Sequence, residues 1–417
     1  MNRFHAFLVF FTVILAIFLL FQVYVVRRFA QWNRRAFDEV PRRRWRIAGW
    51  VFIAAGNLLV VSSSLLRSFL FPDNPTLQRI VGYSAGLYFA SVITAVLILF
   101  VRDLIRLPLF WARRGFRLLS QLAKGTTTTV AIARNEQIDE RRRQFIRAGG
   151  LAAIGATIGA PLLSAFSEVH NYRTIRRTLM FPDLPPGLGG FTVAQVSDIH
   201  AGVYMSEGDI AEIVAQTNAL GAQMIFVTGD FVDSSDEQIP SLQKTLKNLR
   251  AEYGVFGCLG NHDHFATASR VSAAMQNAGI VMLDNAHRTI TVNGERLSIV
   301  GIDDAGGGFR NYARLDDAVA GLEKDSFKIM LSHHPDFFGE AKKAGMDLTL
   351  SGHTHGGQVG VDIGSFHLNP AYLIHNYVKG LFVEEGKQLY VNVGVGVVGA
   401  PVRTVPPEIT LLTLEKG

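Results

Sequence analysis

"FTVAQVSDIH" (residues 191–200), "AQMIFVTGDF" (222–231) and "YGVFGCLGNHD" (253–263) share one plan. Each is a short run rich in β-branched and aromatic residues, and each ends in polar groups able to bind a cation. Helix-like segments at 209–220 and 240–251 separate them. The repeat is about 30 residues, one strand–helix unit each, which is the rhythm of a parallel α/β sheet. Such sheets collect their functional groups at the carboxyl ends of the strands, so the three tips should line one edge.

Later segments are strand-dominated: "RTITVNGERLSIVGID", "FKIMLSHHPD", "MDLTLSGHTH", "KQLYVNVGVG" and "EITLLTL". Asn293-Gly294 is a hairpin turn signal. Together they predict a second sheet packed on the first. "FPDLPPGLGG" (181–190) reads as a linker leading into this domain, which begins near residue 171. Cys258 is the only cysteine, which excludes an intramolecular disulfide framework and fits a small core residue on a strand.

"SGHTHGGQ" (351–358) adds two histidines spaced by one residue and followed by glycines. On a strand, period-two spacing puts His353 and His355 on one side, within reach of neighbouring cations. The glycines would keep bulk away and let the backbone turn. Taken in order, the strand ends give Asp198-x-His200, Gly229-Asp230, Gly260-Asn261-His262-Asp263, His333 and Gly352-His353-Thr354-His355.

That ordered set resembles the calcineurin-like metallophosphoesterase superfamily. "SGHTHGGQ" and the ending "NVGVGVVGAPVRTVPPEITLL" look most like its membrane-associated bacterial branch. That branch includes export-signal-bearing phosphodiesterases and relatives of UDP-diacylglucosamine pyrophosphatases. The resemblance covers about residues 190–415. It implies an α/β fold, a two-sheet αββα sandwich, and two divalent cations. One ion would take Asp198, His200, Asp230 and His355. The other would take Asp230, Asn261, His333 and His353, with Asp230 bridging. His262 would contact the phosphate and protonate the leaving oxygen, and Asp263 would orient it or support a ligand. His333 is preferred over His334 because the family's histidine precedes one variable residue and then Pro-Asp. Arg403 matches a late arginine and is a candidate anion contact, whereas His264, Asp303 and Asp304 could touch substrate but read more readily as ordinary polar loop residues.

The chemistry agrees. Phosphodiester hydrolysis needs a hydroxide nucleophile at neutral pH and relief of charge on the non-bridging oxygens, which two ions about 3.5–4 Å apart supply. Two divalent ions with two aspartates leave two positive charges, suited to an anionic phosphate. Nitrogen and oxygen ligands without thiolate fit Mn, Fe or Zn.

The first 147 residues are of another kind. The chain has 417 residues, 48% of them hydrophobic, and a net charge of +6 whose positive excess sits in this part. Nucleic acid is therefore not an expected partner of the C-terminal half. Ala6–Val26, Ile47–Leu66 and Ile80–Val101 are candidate membrane spans. Arg27 to Arg46 holds eight arginines and 102–147 holds eleven Lys or Arg, so both stretches should be cytoplasmic. "LIRLPLFWARRGFRLLSQL" (104–122) has the mixture of an interfacial helix. Arg142-Arg143-x-Phe145-Ile146-Arg147, before a Gly-rich apolar run, resembles a twin-arginine export signal, though an internal one.

The expected organisation is therefore a membrane region at 1–147, a signal anchor or fourth span at 148–170, and a catalytic domain at 171–417. The expected protein is a multi-pass inner-membrane phosphohydrolase with its catalytic domain outside the cytoplasm. Its substrate would be a phosphoester of the envelope or a lipid-linked one. "FHLNPAYLIHNYVKGLF" (366–382) is apolar enough to meet an acyl chain or a base. Metallo-β-lactamase-like hydrolases are disfavoured, because Gly356-Gly357-Gln358 replaces the continuation of their H-x-H-x-D-H stretch. A phosphomonoesterase or nucleotidase stays open. A catalytically inactive sensor also stays open, although every ligand position and His262 are filled.

Overall fold

The computed structural model describes residues 3–36, 42–63, 75–123, 136–306, 311–363, 366–399 and 401–417. The chain divides into two compact units, Met1–Leu163 and Ser164–Gly417.

The first unit is helical, with helices Arg3–Ala36, Arg42–Val61, Pro75–Ala123 and, running on past its end, Glu136–Ser167. Among the described residues two stretches are long and apolar enough to cross a membrane, Leu15–Asn33 and Thr76–Pro108. The apolar part of the second helix, Ile47–Val61, is shorter. The arginine-rich stretch 104–122 is helical and continues the helix begun at Pro75 through Pro108. A single proline costs about 3 kcal/mol in a helix interior, and here the helix runs on through it. Polar side chains pair inside the unit: Gln22 and Asn57 exchange amide hydrogen bonds, and the Tyr24 hydroxyl donates to Asp103 at 2.6 Å.

The second unit is a sandwich of two six-stranded sheets flanked by helices. The first sheet contains β1 (Arg173–Phe181), β2 (Phe191–Val196), β3 (Met224–Thr228), β4 (Val255–Cys258) and β5 (Ile280–Met282). The second contains β6 (Ala286–Val292), β7 (Glu295–Gly301), β8 (Phe327–Leu331) and β9 (Leu348–Ser351). After a small hairpin, β10 (Val361–Ile363) with β11 (Phe366–Leu368), it is completed by β12 (Gly380–Glu384) and β13 (Lys387–Val391). The last strand, β14 (Glu408–Lys416), returns to the first sheet between β1 and β2. The expectation that "EITLLTL" belongs with the second sheet is thus corrected.

β2 to β5 run parallel, and their period-two pattern feeds two cores. Met224, Phe226, Phe256 and Cys258 point between the sheets, while Ile225, Val227 and Val255 face the helices Glu207–Ala219, Ile239–Leu246 and Ala268–Asn277. Cys258 is fully buried there, as its strand position implied. A third cluster covers the outer face of the second sheet, so the layers read αββα. Asn293 and Gly294 both take positive φ, 48° and 85°, and close the β6–β7 hairpin in antiparallel register.

"FPDLPPGLGG" proves not to be a linker into the domain. β1 precedes it and pairs in parallel with β14, and Leu184 and Leu188 are buried in the inter-sheet core. The arginines of "RTIRRTLMF" hide this strand from a hydrophobic-alternation reading, yet they suit an exposed sheet edge.

Candidate active site

The carboxyl ends of β2, β3 and β4 deliver Asp198, Asp230 and the Asn261–Asp263 stretch to one edge. The ends of β8 and β9 bring His333, His353 and His355 to the same place. Side-chain atoms of Asp198, His200 and His355 lie within 4.8 Å of one another, as do those of Asp198, Asp230 and His333. Asp198 belongs to both groups. Asp230 Oδ2 lies 3.5 Å from His200 Nε2 and 3.1 Å from His333 Nε2, between one ring of each group. His353 Nδ1 meets Asn261 Oδ1 at 2.9 Å. All seven residues expected as ligands are therefore gathered.

The site fits cations on its own geometry. The His333 Nδ1–H donates to the Thr228 carbonyl at 2.8 Å, which leaves Nε2 turned toward Asp230 but off the line of a hydrogen bond. His200 Nε2 and His355 Nε2 face each other at 3.0 Å, with Asp198 Oδ1 at 4.0 and 3.4 Å from them. Converging lone pairs on buried rings beside carboxylates need a positive charge among them.

Electrostatics say the same. Burial raises Asp198 to about 6, against the pull of the His333 ring. Burial also works to raise Asp230, but His333 and His262 outweigh it and hold that carboxyl well below the usual range. Burial opposes charge on His333, yet the Asp230 carboxylate lifts it to about 10. Burial, helped by neighbouring rings, pushes His200 to about 3 and keeps His353 and His355 well below the ordinary imidazole value. Burial thus favours neutral rings at three of the positions, while the Asp230 carboxylate favours a proton on the fourth, whose place a bound cation would take.

Backbone conformation is the unexpected part. Asp198, His200, Asp230, His353 and His355 all adopt positive φ, between 47° and 71°. Non-glycine residues rarely do so, and each such residue costs about 1–3 kcal/mol unless its surroundings hold it there. β9 ends at Ser351, so His353 and His355 converge through this left-handed backbone and not through the alternation of a strand. The glycines after them do turn the backbone, with φ of 59° at Gly356 and 78° at Gly357, but the space they keep is not that of the ligands. A Cβ on Gly356 would meet Val393 and Val405, and one on Gly357 would meet the Asn369 amide. Room for the ligands comes from Gly352 and Gly260, where a Cβ would strike Asp198 Oδ2 and Asp230 Oδ1, each at 2.3 Å.

The remaining candidates divide. His262 sits at the rim with its Nδ1 on the Asp233 carbonyl at 2.5 Å and its ring edge-on to His200 at 4.5 Å. Asp263 does not orient that ring. Its Oδ1 accepts from the Phe231 and Val232 amides and its Oδ2 from Gly260, so it ties the loops after β3 and β4 together. His334 turns away from Asp230 to Asp304, 2.9 Å distant. The Arg403 guanidinium is fully buried and donates to the carbonyls of Val393, Gly394, Gly396 and Val405. The anion-contact expectation for Arg403 therefore fails; it clips a loop. His264 pairs with Asp303 at 2.7 Å and stacks on Tyr312.

Two residues escaped the sequence reading. Asp233, which fixes the tautomer of His262, carried one signal, its place three residues after Asp230 in the same polar tip. His375, whose ring lies 5.4 Å from that of His353, stood in a loop noticed only for its apolar residues.

The role given to Gly352 has a direct check. Gly352→Ala should keep the circular dichroism spectrum but lose bound metal by elemental analysis, with activity falling about 10²-fold as Asp198 is displaced. Full metal content with normal turnover would contradict it.

Comparison with known proteins follows the same lines. Residues 191–357 match the family model for calcineurin-like phosphoesterases. An uncharacterised metallophosphoesterase of Bacillus subtilis, YkuE, is 30% identical over 66% of this chain and 97% of its own length. A transmembrane protein with metallophosphoesterase domain from Danio rerio is 27% identical over 94% of this chain and 85% of its own. A solved archaeal phosphodiesterase is 14% identical over 49% of this chain and 84% of its own, with a TM-score of 0.29. With its metal-ligand geometry and a relative matched along nearly its whole length, the chain belongs to the calcineurin-like metallophosphoesterases and is a metal-dependent phosphoric ester hydrolase.

Proposed function

We propose that the chain is a membrane-anchored hydrolase of phosphodiesters or pyrophosphates that works with two divalent ions, Mn, Fe or Zn. The observation that carries this reading is the pair of buried aspartates, Asp198 and Asp230, with buried imidazoles converging on both. Asp198, His200, Asp230 and His355 would hold one ion; Asp230, Asn261, His333 and His353 the other, with Asp230 shared. When bound, such ions supply Lewis acidity and a nucleophile at neutral pH.

The protein's own groups do the rest. Because the Asp233 carbonyl accepts a hydrogen bond from His262 Nδ1–H, the ring's Nε2 is left to meet the leaving oxygen and, once protonated, to give it a proton. Asp263 holds the loops that carry Asp230, Asn261 and His262. Arg403 adds a buried positive charge beside the histidine pair. Burial brings it down to about 10, which still leaves it cationic at neutral pH.

A lipid-linked substrate is the reading that the rim supports. Phe265, 63% exposed, packs its ring 4.9 Å from that of His262. Ile374, 78% exposed, adjoins His375 on the other side of the site. Exposed apolar side chains next to phosphate chemistry suit an acyl chain. The catalytic unit would lie outside the cytoplasm, since the basic stretches 27–46 and 102–147 favour the inner side.

Asp230→Asn should cost both metal and activity; two ions per chain with normal turnover would exclude the shared-ligand role. His262→Ala should keep the metal and lose about 10²–10⁴-fold in rate. That loss should shrink for p-nitrophenyl esters, whose leaving group needs little protonation. An equal loss for good and poor leaving groups would assign His262 to charge stabilisation instead. For the topology, alkaline phosphatase fused after residue 175 should be active, and fused near residue 125 inactive, because its disulfides form only on the oxidising side. The reverse pattern would put the catalytic unit in the cytoplasm.

A further inference from the structure

Within the helical unit a cavity of about 300 Å³ opens between the helices Arg3–Ala36, Pro75–Ala123 and Glu136–Ser167. Phe29, Trp32, Leu99 and Ile154 form its apolar walls. The third wall is held in place by specific contacts. The Trp32 indole donates to the Ile146 carbonyl at 2.9 Å, and a Cβ on Gly150 would strike that indole at 2.0 Å. Only glycine lets the two helices approach this closely here.

The cavity is not uniformly apolar. Arg28, Arg102 and Arg106 also line it. Arg28 and Arg102 share one carboxylate, Asp103, while Arg106 makes no ion pair with a described residue. Three guanidinium groups against one carboxylate leave two positive charges in excess. Arg102 and Arg106 follow Leu99 by about one and two turns of the same helix, so the charge lies at one end of the slot. Surplus charge is costly beside apolar walls and marks a site for an anion.

We propose that this cavity binds one anionic glycerophospholipid, its phosphate between Arg102 and Arg106 and part of an acyl chain along Trp32 and Leu99. Free phosphate makes no use of the walls, and a neutral lipid makes no use of the charge. Basic pockets between membrane helices on the cytoplasmic side recognise such headgroups, and both arginine-rich stretches are assigned to that side. The inference rests on the membrane reading of the helical unit and is independent of the chemistry in the catalytic unit.

The test uses the full chain in nanodiscs of mixed phosphatidylglycerol and phosphatidylcholine, released and read by native mass spectrometry. One phosphatidylglycerol should be retained per chain in preference to phosphatidylcholine. Arg106→Gln should lower that preference about fivefold. Arg27→Gln removes the same charge from an exposed neighbour outside the cavity, and should leave the preference unchanged. Equal retention of the two lipids, an equal drop in both variants, or displacement by soluble glycerophosphate would each overturn the proposal. Recovery in the membrane fraction with no lipid preference sinks the site alone. Recovery as a soluble protein without detergent sinks the anchoring, and the site with it.

Discussion

Asp198 and Asp230 are buried carboxylates a few ångströms from the same imidazoles, and most of the catalytic unit is arranged around the cost of keeping them there. A buried carboxylate must be paired, protonated or coordinated. The chain offers each only partial satisfaction. Asp198 accepts the His353 backbone amide through both oxygens, and Asp230 accepts that of His262 at 2.8 Å. The remaining demand falls on ring nitrogens, which burial holds neutral at His200, His353 and His355. A cation held among them would satisfy all these groups at once, which a proton on His333 does only locally.

The parallel strands of this unit were legible because both of their faces are buried, which leaves short apolar runs punctuated by polar tips. The edge strand β1 was not, because arginines at an exposed edge look like loop. The return of β14 to the first sheet is a topological fact that a local pattern does not encode. The helix expected at 240–251 stops at Leu246, since Asn248 and its neighbours turn back through local hydrogen bonds. In the helical unit, hydropathy shows the long apolar helices but not the pairing of Arg28, Arg102 and Tyr24 on Asp103.

The candidate site was legible in residue types and order, and much less in conformation. A histidine or aspartate at a strand end advertises its chemistry. Its φ angle does not, so the convergence of His353 and His355 was given a strand's geometry that the backbone does not have. Arg403 shows the opposite failure. A guanidinium near a phosphate site suggests an anion contact, yet here the four carbonyls it meets belong to the loop that it closes. Side-chain identity narrows what a residue can do, whereas the neighbouring backbone decides which of those things it does.

Five strained residues in one site raise the question of what holds them. Each costs about 1–3 kcal/mol unless its surroundings hold it in place. Contacts within the protein do most of the holding. The Asp198 amide donates to the Gly229 carbonyl and the His200 amide to the Asp230 carbonyl, so the two tips brace each other in their left-handed turns. Asp263 gathers three more amides from the loops after β3 and β4. Arg403 gathers four carbonyls from the segment after β13, whose Gly396 amide in turn donates to the Asp198 carbonyl at 2.8 Å. None of these bonds involves a metal ligand atom. These backbone bonds place much of the ligand cage through folding itself, so less of a bound cation's binding energy would go into ordering the loops.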